Sequence, residues 1–269
     1  MNTNKTAAAI KIVASLILIA VCLWALARSS GGIKFRFPDL SLHRGYTNGD
    51  YTEENAYIKD LDIDWTFGDV TVIFSKDGSA SAVSEKSDYL YWKKQSDGTL
   101  KIEGPKGVFQ NFSRSNLTVK LPEGMSMNSV DIEAVSGNIE YSACDARKGS
   151  FEAVSGAMDI TGSFLEFDLA SVSGGITARG SFKETDIETV SGDAELTADS
   201  SLCSVDFESV SGDLTLNLPE NTGFSLDFES VSGDFSCSQA TQKNGNKYVY
   251  EGGDVRIDAE TVSGDVKIN

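Results

Sequence analysis

The sequence predicts an all-β fold, a parallel β-solenoid with rungs of about 18–21 residues, preceded by a single N-terminal transmembrane helix. Three observations predict it. The tripeptide Val-Ser-Gly occurs seven times at nearly constant spacing, apolar and polar residues alternate on both sides of each copy, and one long apolar run lies near the N-terminus. With 40% hydrophobic residues, the chain is also too apolar to be disordered as a whole.

The N-terminal region predicts a membrane anchor. Residues 1–6 form a short tail, and residues 7–28 form the predicted transmembrane signal-anchor helix, whose apolar run is close to the roughly 20 residues needed to cross a bilayer. A cleaved signal peptide is the alternative, because Ala25-Leu26-Ala27 has the small-x-small form of a cleavage site. We expect a single-pass protein of the cell membrane whose acidic C-terminal domain is extracytoplasmic.

Two less regular segments precede the repeats. Residues 29–56 show little periodicity and are predicted to be a juxtamembrane linker. Residues 57–129 are predicted to form an irregular first part of the solenoid, because Leu61 to Val72 keeps the alternation and the Gly-Asp turn of the later repeats.

Residues 130–269 contain the regular repeats. The seven motifs start at Val135, Val154, Val172, Val190, Val210, Val231 and Val262, with spacings of 19, 18, 18, 20, 21 and 31 residues. Period-two alternation around a Ser-Gly turn indicates strand, turn and strand, and equivalent strands of successive rungs should stack in parallel about 4.8 Å apart. The residue three before each Val is predicted to point inward, as is the residue two after each Gly. The first column contains Ile132, Phe151, Leu169, Ile187, Phe207, Phe228 and Ala259, and the second Ile139, Met158, Ile176, Ala194, Leu214, Phe235 and Val266.

Negative charge is concentrated in the repeats. The chain has a formal net charge of −17, which argues against nucleic-acid binding, because contacts to phosphates require a basic surface. Two outward columns of carboxylates are predicted, and their candidate ligand-facing residues are Asp186, Glu188, Asp206, Glu208, Asp227 and Glu229. These columns could attract cationic peptides or envelope polymers, could bind Ca²⁺, or could simply keep solenoids soluble and apart.

Catalysis is not expected. The chain has one histidine, His43, and no Gly-x-Ser-x-Gly motif, so the repeated serines are read as turn residues. No cofactor or metal site is predicted. A polysaccharide-acting β-helix enzyme remains an alternative, but only by analogy of fold.

The seven Val-Ser-Gly corners and the Leu-Pro-Glu-Gly strand exit within Leu117 to Gly124 resemble a bacterial "putative adhesin" family of Val-Ser-Gly-Asp β-strand repeats, known as domain of unknown function 4097. The resemblance covers about residues 57–269, although Ala157 and Gly175 replace the usual Asp after the corner Gly. It implies a β-solenoid on the cell envelope, often behind one N-terminal helix, and no catalytic site. We therefore expect a membrane-anchored, extracytoplasmic module for envelope binding, adhesion or stress sensing, with a passive spacer or scaffold as the alternative.

Overall fold

The computed structural model describes residues 43–105 and 113–269, which form 22 β-strands. A turn of 3-10 helix spans Ser87–Tyr89. In the first part of the chain the strands are β1 Thr47–Asn48, β2 Tyr51–Glu53, β3 Asp60–Phe67, β4 Val70–Ser75, β5 Ala80–Ser84, β6 Tyr91–Lys94, β7 Thr99–Glu103 and β8 Leu117–Pro122. In the repeats they are β9 Ser126–Ser136, β10 Ile139–Ser142, β11 Asp145–Ser155, β12 Met158–Ser173, β13 Ile176–Thr189, β14 Ala194–Ala198, β15 Ser204–Ser209, β16 Leu214–Asn217, β17 Phe224–Ser230, β18 Phe235–Cys237, β19 Gln242–Asn244, β20 Lys247–Tyr250, β21 Val255–Thr261 and β22 Val266–Ile268.

The membrane segment predicted at residues 7–28 lies outside the described residues. In the ranges that the structure describes, no helix is long and apolar enough to cross a bilayer.

The strands stack in two parallel ladders joined at the Val-Ser-Gly corners. The first ladder, before the corner, runs in the order β7, β3, β9, β11, β12, β13, β15, β21, β17. The second ladder, after the corner, runs β8, β4, β10, β12, β13, β14, β16, β22, β18. Each rung consists of one strand from the first ladder and one strand from the second. The strands β12 and β13 are long enough to take part in both ladders. This arrangement confirms the predicted solenoid-like, all-β fold.

The rungs do not follow sequence order at the C-terminal end. β21 pairs with β15 on one side and with β17 on the other, and β22 lies in the same way between β16 and β18. The expectation that consecutive motifs are always neighbours is therefore wrong here, and Ala259 separates Phe207 from Phe228. The physical reason is the 31-residue spacing before the last motif, which contains the antiparallel hairpin β19–β20. This hairpin turns back along β17 and returns the chain to the inner side of that rung.

The N-terminal end has the same reversal and is closed by antiparallel strands. The rung of β7 and β8 is outermost, and β3 and β4 lie between it and the repeats. β6 and then β1 extend the first ladder, whereas β5 and then β2 extend the second. The described part of the predicted linker 29–56 thus contributes two strands, and its Tyr51 is buried. Folded structure begins earlier than the sequence predicted. The cap strands β1 and β2 are too short to show an alternation of apolar and polar residues in the sequence.

The interior is apolar along both predicted inward columns. Every member is buried except Phe235, which lies at the C-terminal end and is half-buried. Near the middle, Tyr141, Phe151, Phe164, Phe167 and Phe182 form an aromatic cluster, with Phe167 and Phe182 stacked at 4.6 Å between ring centroids. Aromatic stacking between rungs adds to the burial of apolar surface that holds the ladders together.

The corners are held by a column of glycines. A Cβ atom on Gly137 would lie 1.9 Å from the carbonyl oxygen of Gly68, and one on Gly156 would lie 2.0 Å from that of Gly137. The same close approach repeats through Gly174, Gly192, Gly212, Gly264 and Gly233. Glycine is therefore required at these corners because the backbone of one rung touches that of the next.

In the later motifs the residue before the Val is Ser or Thr, and its hydroxyl, rather than that of the motif Ser, accepts the corner amide in the motifs of Val210, Val231 and Val262. Ser209 Oγ accepts the backbone N–H of Gly212 at 2.7 Å and also accepts a hydrogen bond from Thr189 Oγ1 at 3.0 Å. Thr261 Oγ1 accepts the N–H of Gly264 at 2.9 Å. Buried hydroxyls thus satisfy corner amides that would otherwise lose their bonds to water.

Candidate functional site

The outer face of the first ladder is the candidate site, and we call it the acidic face. Parallel register puts equivalent outward residues of successive rungs side by side. From the N-terminal end, one column of the acidic face contains Asp62, Asp131, Ser150, Asp168, Asp186, Asp206, Asp258 and Asp227. The neighbouring column contains Asp64, Glu133, Glu152, Ala170, Glu188, Glu208, Glu260 and Glu229.

All six predicted carboxylates lie on the acidic face, but not as three adjacent pairs. Asp186 and Glu188 neighbour Asp206 and Glu208 in the next rung. Asp227 and Glu229 are one rung further away, because Asp258 and Glu260 lie between. The columns are therefore continuous through four rungs in this part of the solenoid, and Asp258 and Glu260 occupy the middle of the predicted site.

Lysine and arginine side chains contact carboxylates of the acidic face in several rungs. Lys148 Nζ contacts Asp168 Oδ2 at 2.7 Å, and Arg256 Nη2 contacts Asp258 Oδ2 at 2.6 Å. Lys101 pairs with Asp62 near the N-terminal end, and Lys247 lies opposite Asp227 in the adjoining strand. These lysine and arginine neighbours were not predicted from the sequence. The positions of Lys148 and Arg256 beside the carboxylates could have been predicted from the sequence. Each lies an even number of residues from an outward carboxylate of its own strand, and alternate residues of a strand share one face.

The central carboxylates hold their protons more strongly than usual. Loss of water in the crowded column raises the pKa of Asp206 to about 6, and the negative charges of Asp186, Glu208 and Asp258 add to this. The same two causes, burial first and neighbouring carboxylates second, raise the pKa of Asp186 and of Glu260. Repulsion between like charges is therefore concentrated in the rungs of β13, β15 and β21.

Carboxylates after the corner Gly have a structural role. Asp69 Oδ1 accepts the backbone N–H of Asn138 at 2.8 Å, and Asp213 Oδ1 accepts that of Asp265 at 2.8 Å. Asp265 Oδ1 in turn accepts the N–H of Asp234 at 2.8 Å. This column links rungs by charge-assisted hydrogen bonds, and Asn138 can replace Asp because its side-chain oxygen accepts the same bond from Ala157.

Two further observations bear on the chemistry of the surface. Among residues 43–105 and 113–269, no group of three or more His, Cys, Asp or Glu side chains is arranged to hold a metal ion. A shallow groove of about 510 Å³ lies at the turns where the chain passes from a strand of the second ladder to the next strand of the first ladder. It is lined by serines of successive rungs together with Arg147, Leu165 and Lys183, so it lacks the dense negative charge of the acidic face.

The family model described as Toastrack DUF4097 matches residues 58–269. No curated protein matches the chain.

Among solved structures, the chain is similar to a "putative adhesin" from Bacteroides fragilis, with 14% identity, 82% of this chain and 96% of that chain covered, and a TM-score of 0.46. It is also similar to a "putative lipid binding protein" from Parabacteroides distasonis, with 15% identity, coverage of 83% and 99%, and a TM-score of 0.41. A third is a "putative cell adhesion protein" from Clostridium sporogenes, with 13% identity, coverage of 82% and 99%, and a TM-score of 0.37. On the family match, which includes every Val-Ser-Gly corner, this chain belongs to the Toastrack family, DUF4097.

Proposed function

We propose that the protein is a membrane-anchored, extracytoplasmic binding module whose acidic face captures cationic peptides or cationic envelope polymers. The observation that carries the proposal is the continuous carboxylate column of Asp186, Asp206, Asp258 and Asp227, in which burial and like charge raise the pKa of Asp206 to about 6. Such a module could serve in adhesion or in sensing envelope stress.

Electrostatics favours a linear cationic ligand. Carboxylates at about 4.8 Å spacing repel one another by roughly 1 kcal/mol per pair even in water, and the repulsion grows as water is excluded. An extended chain with repeated positive charges, lying across the rungs, would relieve repulsion at several carboxylates at once. The field of each rung adds to that of the next, which also speeds the approach of cations.

We propose a binding role in preference to catalysis because the candidate reactive groups are used elsewhere. His43 stacks on Tyr91 at 3.7 Å between ring centroids, and its Nε2 hydrogen-bonds to the carbonyl of Gly104 at 2.9 Å. Ser209 and Thr261, whose hydroxyls accept hydrogen bonds from corner amides, are buried and bonded to the backbone. These side chains stabilise the cap and the corners.

Binding is tested with the full chain in nonionic detergent and a fluorescent oligolysine peptide, by anisotropy at low and at physiological salt. We expect binding at low salt that weakens steeply as salt rises, because the Debye length falls to about 8 Å at physiological ionic strength. A cationic antimicrobial peptide should behave in the same way, and an oligoglutamate peptide should not bind.

A matched pair of variants locates the ligand. Replacing Asp206 by Asn and both Glu208 and Glu229 by Gln should remove most of the affinity. The control replaces three exposed carboxylates of the second ladder, Glu140, Asp159 and Glu195, by their amides, and therefore makes the same change in net charge. Equal affinities of the two triple variants, or no binding at low salt, would contradict the proposal and favour a spacer.

Anchoring is a separate part of the proposal, supported by the apolar sequence within residues 7–28. The intact chain should remain in the membrane fraction after a high-salt wash, with protease added outside the cell digesting the β domain. A soluble mature chain beginning at Arg28 would show that the segment is a cleaved signal peptide.

A further inference from the structure

The C-terminal end of the solenoid is stepped. Beyond β17 the first ladder continues with the antiparallel strands β20 and β19. In the second ladder β18 pairs with β22 on its inner edge, and within the described residues no strand pairs with its outer edge. One ladder therefore extends two strands further than the other.

The outer edge of β18 presents backbone hydrogen-bonding groups. The N–H of Val266 donates to the carbonyl of Asp234 at 3.0 Å, so the backbone groups of Asp234 face β22. Successive residues of a strand direct their backbone groups to opposite edges, and those of Phe235 and Cys237 therefore face outward. An edge of this kind is a template for an added strand.

Aromatic side chains form the floor of the step. Tyr250 and Tyr248 lie opposite Phe224 and Leu226 of β17, and so they share the inner face of the first ladder. The Tyr248 ring is 4.5 Å from that of Phe235. Both tyrosines are only half-buried, because no described strand of the second ladder lies above them.

The opposite end of the molecule shows what covers such a position. There both ladders carry two antiparallel cap strands, and Tyr51 of β2 meets Trp92 of β6 at 4.9 Å between ring centroids. Tyr51 is 3% exposed as a result. At the C-terminal end Tyr248 takes the place of one partner in such a pair, and the strand that would bring the other is not part of the described chain.

We propose that this step binds an extended segment of another protein, which adds to β18 as an antiparallel strand. Its apolar side chains, at alternate positions, would pack on Tyr248 and Tyr250, and an acidic side chain would meet Lys243. Lys243 Nζ lies 4.7 Å from the centroid of the Tyr248 ring, which places a positive charge beside the floor of the step. The antiparallel direction follows the strands that cap the other three ladder ends. This strand-addition site is separate from the acidic face and does not depend on its function.

The test uses the full chain in nonionic detergent and a phage-displayed library of nine-residue peptides in which alternate positions are restricted to Val, Phe and Tyr. Selection should enrich peptides with at least one Asp or Glu. An enriched peptide, synthesised and labelled, is then titrated by anisotropy. Amide hydrogen exchange of the segment 234–238 in the unmodified protein should slow when the peptide binds, since strand addition protects the outward amides.

Two variants at one position isolate the backbone hydrogen bond. Cys237→Pro removes the outward N–H, which an edge strand tolerates, whereas Cys237→Ala keeps it and changes only the side chain. We expect about tenfold weaker binding to the Pro variant than to the Ala variant, as for loss of one main-chain hydrogen bond. Lys243→Gln should weaken peptides that carry Asp or Glu more than their Asn or Gln counterparts.

The outcomes separate the proposal from its alternatives. Failure to enrich any peptide, equal binding to both Cys237 variants, or unchanged exchange of segment 234–238 would overturn it. A concentration-dependent dimer of the full chain that is lost in Cys237→Pro would identify a second copy as the occupant and would also overturn it. If the Pro variant does not fold, the exchange measurement on the unmodified protein still decides.

Discussion

The glycine column makes a prediction that separates close packing from backbone conformation. In Gly192→Ala the new Cβ would lie 2.1 Å from the carbonyl oxygen of Gly174, and it would therefore force two hydrogen-bonded rungs apart. Heavy atoms usually pack at about 3.5–4.0 Å, so the displacement needed exceeds about 1 Å. We expect a loss of about 3 kcal/mol in the free energy of unfolding, at the upper end of overpacking effects. Urea unfolding of the full chain, followed by circular dichroism, measures it.

Two other glycines provide controls for this substitution. At Gly175 the nearest atom to an added Cβ is 3.7 Å away, an ordinary contact, so Gly175→Ala should be neutral or stabilise by up to about 1 kcal/mol. Gly78 has open space around it but a φ of +76°, so Gly78→Ala should lose about 1–2 kcal/mol through conformation alone. If the free energies of unfolding of Gly192→Ala and Gly175→Ala differ by less than about 0.5 kcal/mol, close approach between rungs is not what selects glycine at the corners.

Three further predictions concern the core, the corners and the acidic face. Phe207→Ala and Phe228→Ala should each lower the free energy of unfolding by about 3–5 kcal/mol. In urea unfolding the two effects should add to within about 0.5 kcal/mol, because Ala259 lies between the two rings. Strong coupling between the two substitutions would contradict the rung order. Ser209→Ala should lower the free energy of unfolding by about 1–2 kcal/mol, because it leaves the Gly212 amide unpaired. The control Ser211→Ala, at an exposed position, should change it little. Equal melting temperatures of the two variants would refute the role of the buried hydroxyl. The folded-state pKa of Asp206, about 6, is above the unfolded value of about 3.9, so its contribution to stability is greatest below pH 4 and is lost as the pH rises to 6. The melting temperature should therefore fall less between pH 5 and pH 7 in Asp206→Asn than in the unmodified chain, and an NMR titration giving Asp206 an ordinary pKa would exclude this cause.

Sequence predicted most of the architecture because period two and a fixed repeat are local properties. The inward columns that contain Ile132 and Ile139, and the outward positions of Asp186 and Glu188, follow from strand alternation alone. The order of the rungs at the two ends does not follow from alternation. The alternation of apolar and polar residues is the same whichever rung lies next to Val255–Thr261. The hydroxyl column was visible in the sequence, where Ser171, Thr189 and Ser209 replace the alanines of earlier repeats, but its bonding depends on corner geometry.

The crowding within the acidic face could not be predicted from counts of charged residues. It depends on which rungs adjoin, and thus on the placement of Asp258 and Glu260 beside Asp206 and Glu208. The strand-addition site at β18 is also a property of tertiary structure, because Phe235, Ser236 and Cys237 have the same pattern as the covered strands of the second ladder.

The enclosed position of β21 and β22 has a consequence for how the protein is made. A ribosome delivers Phe224–Ser230 before Val255–Thr261, yet the later strand must lie between the earlier one and β15. Rung-by-rung folding during translation therefore stops after β16. If β17 attached to β15 at once, it would occupy the place of β21 with matching Asp and Glu columns and would have to detach again. Insertion of β21 beside β15 must follow the turn of β19 and β20 back along β17, and a slow final step that depends on residues 242–250 is the expected kinetic signature.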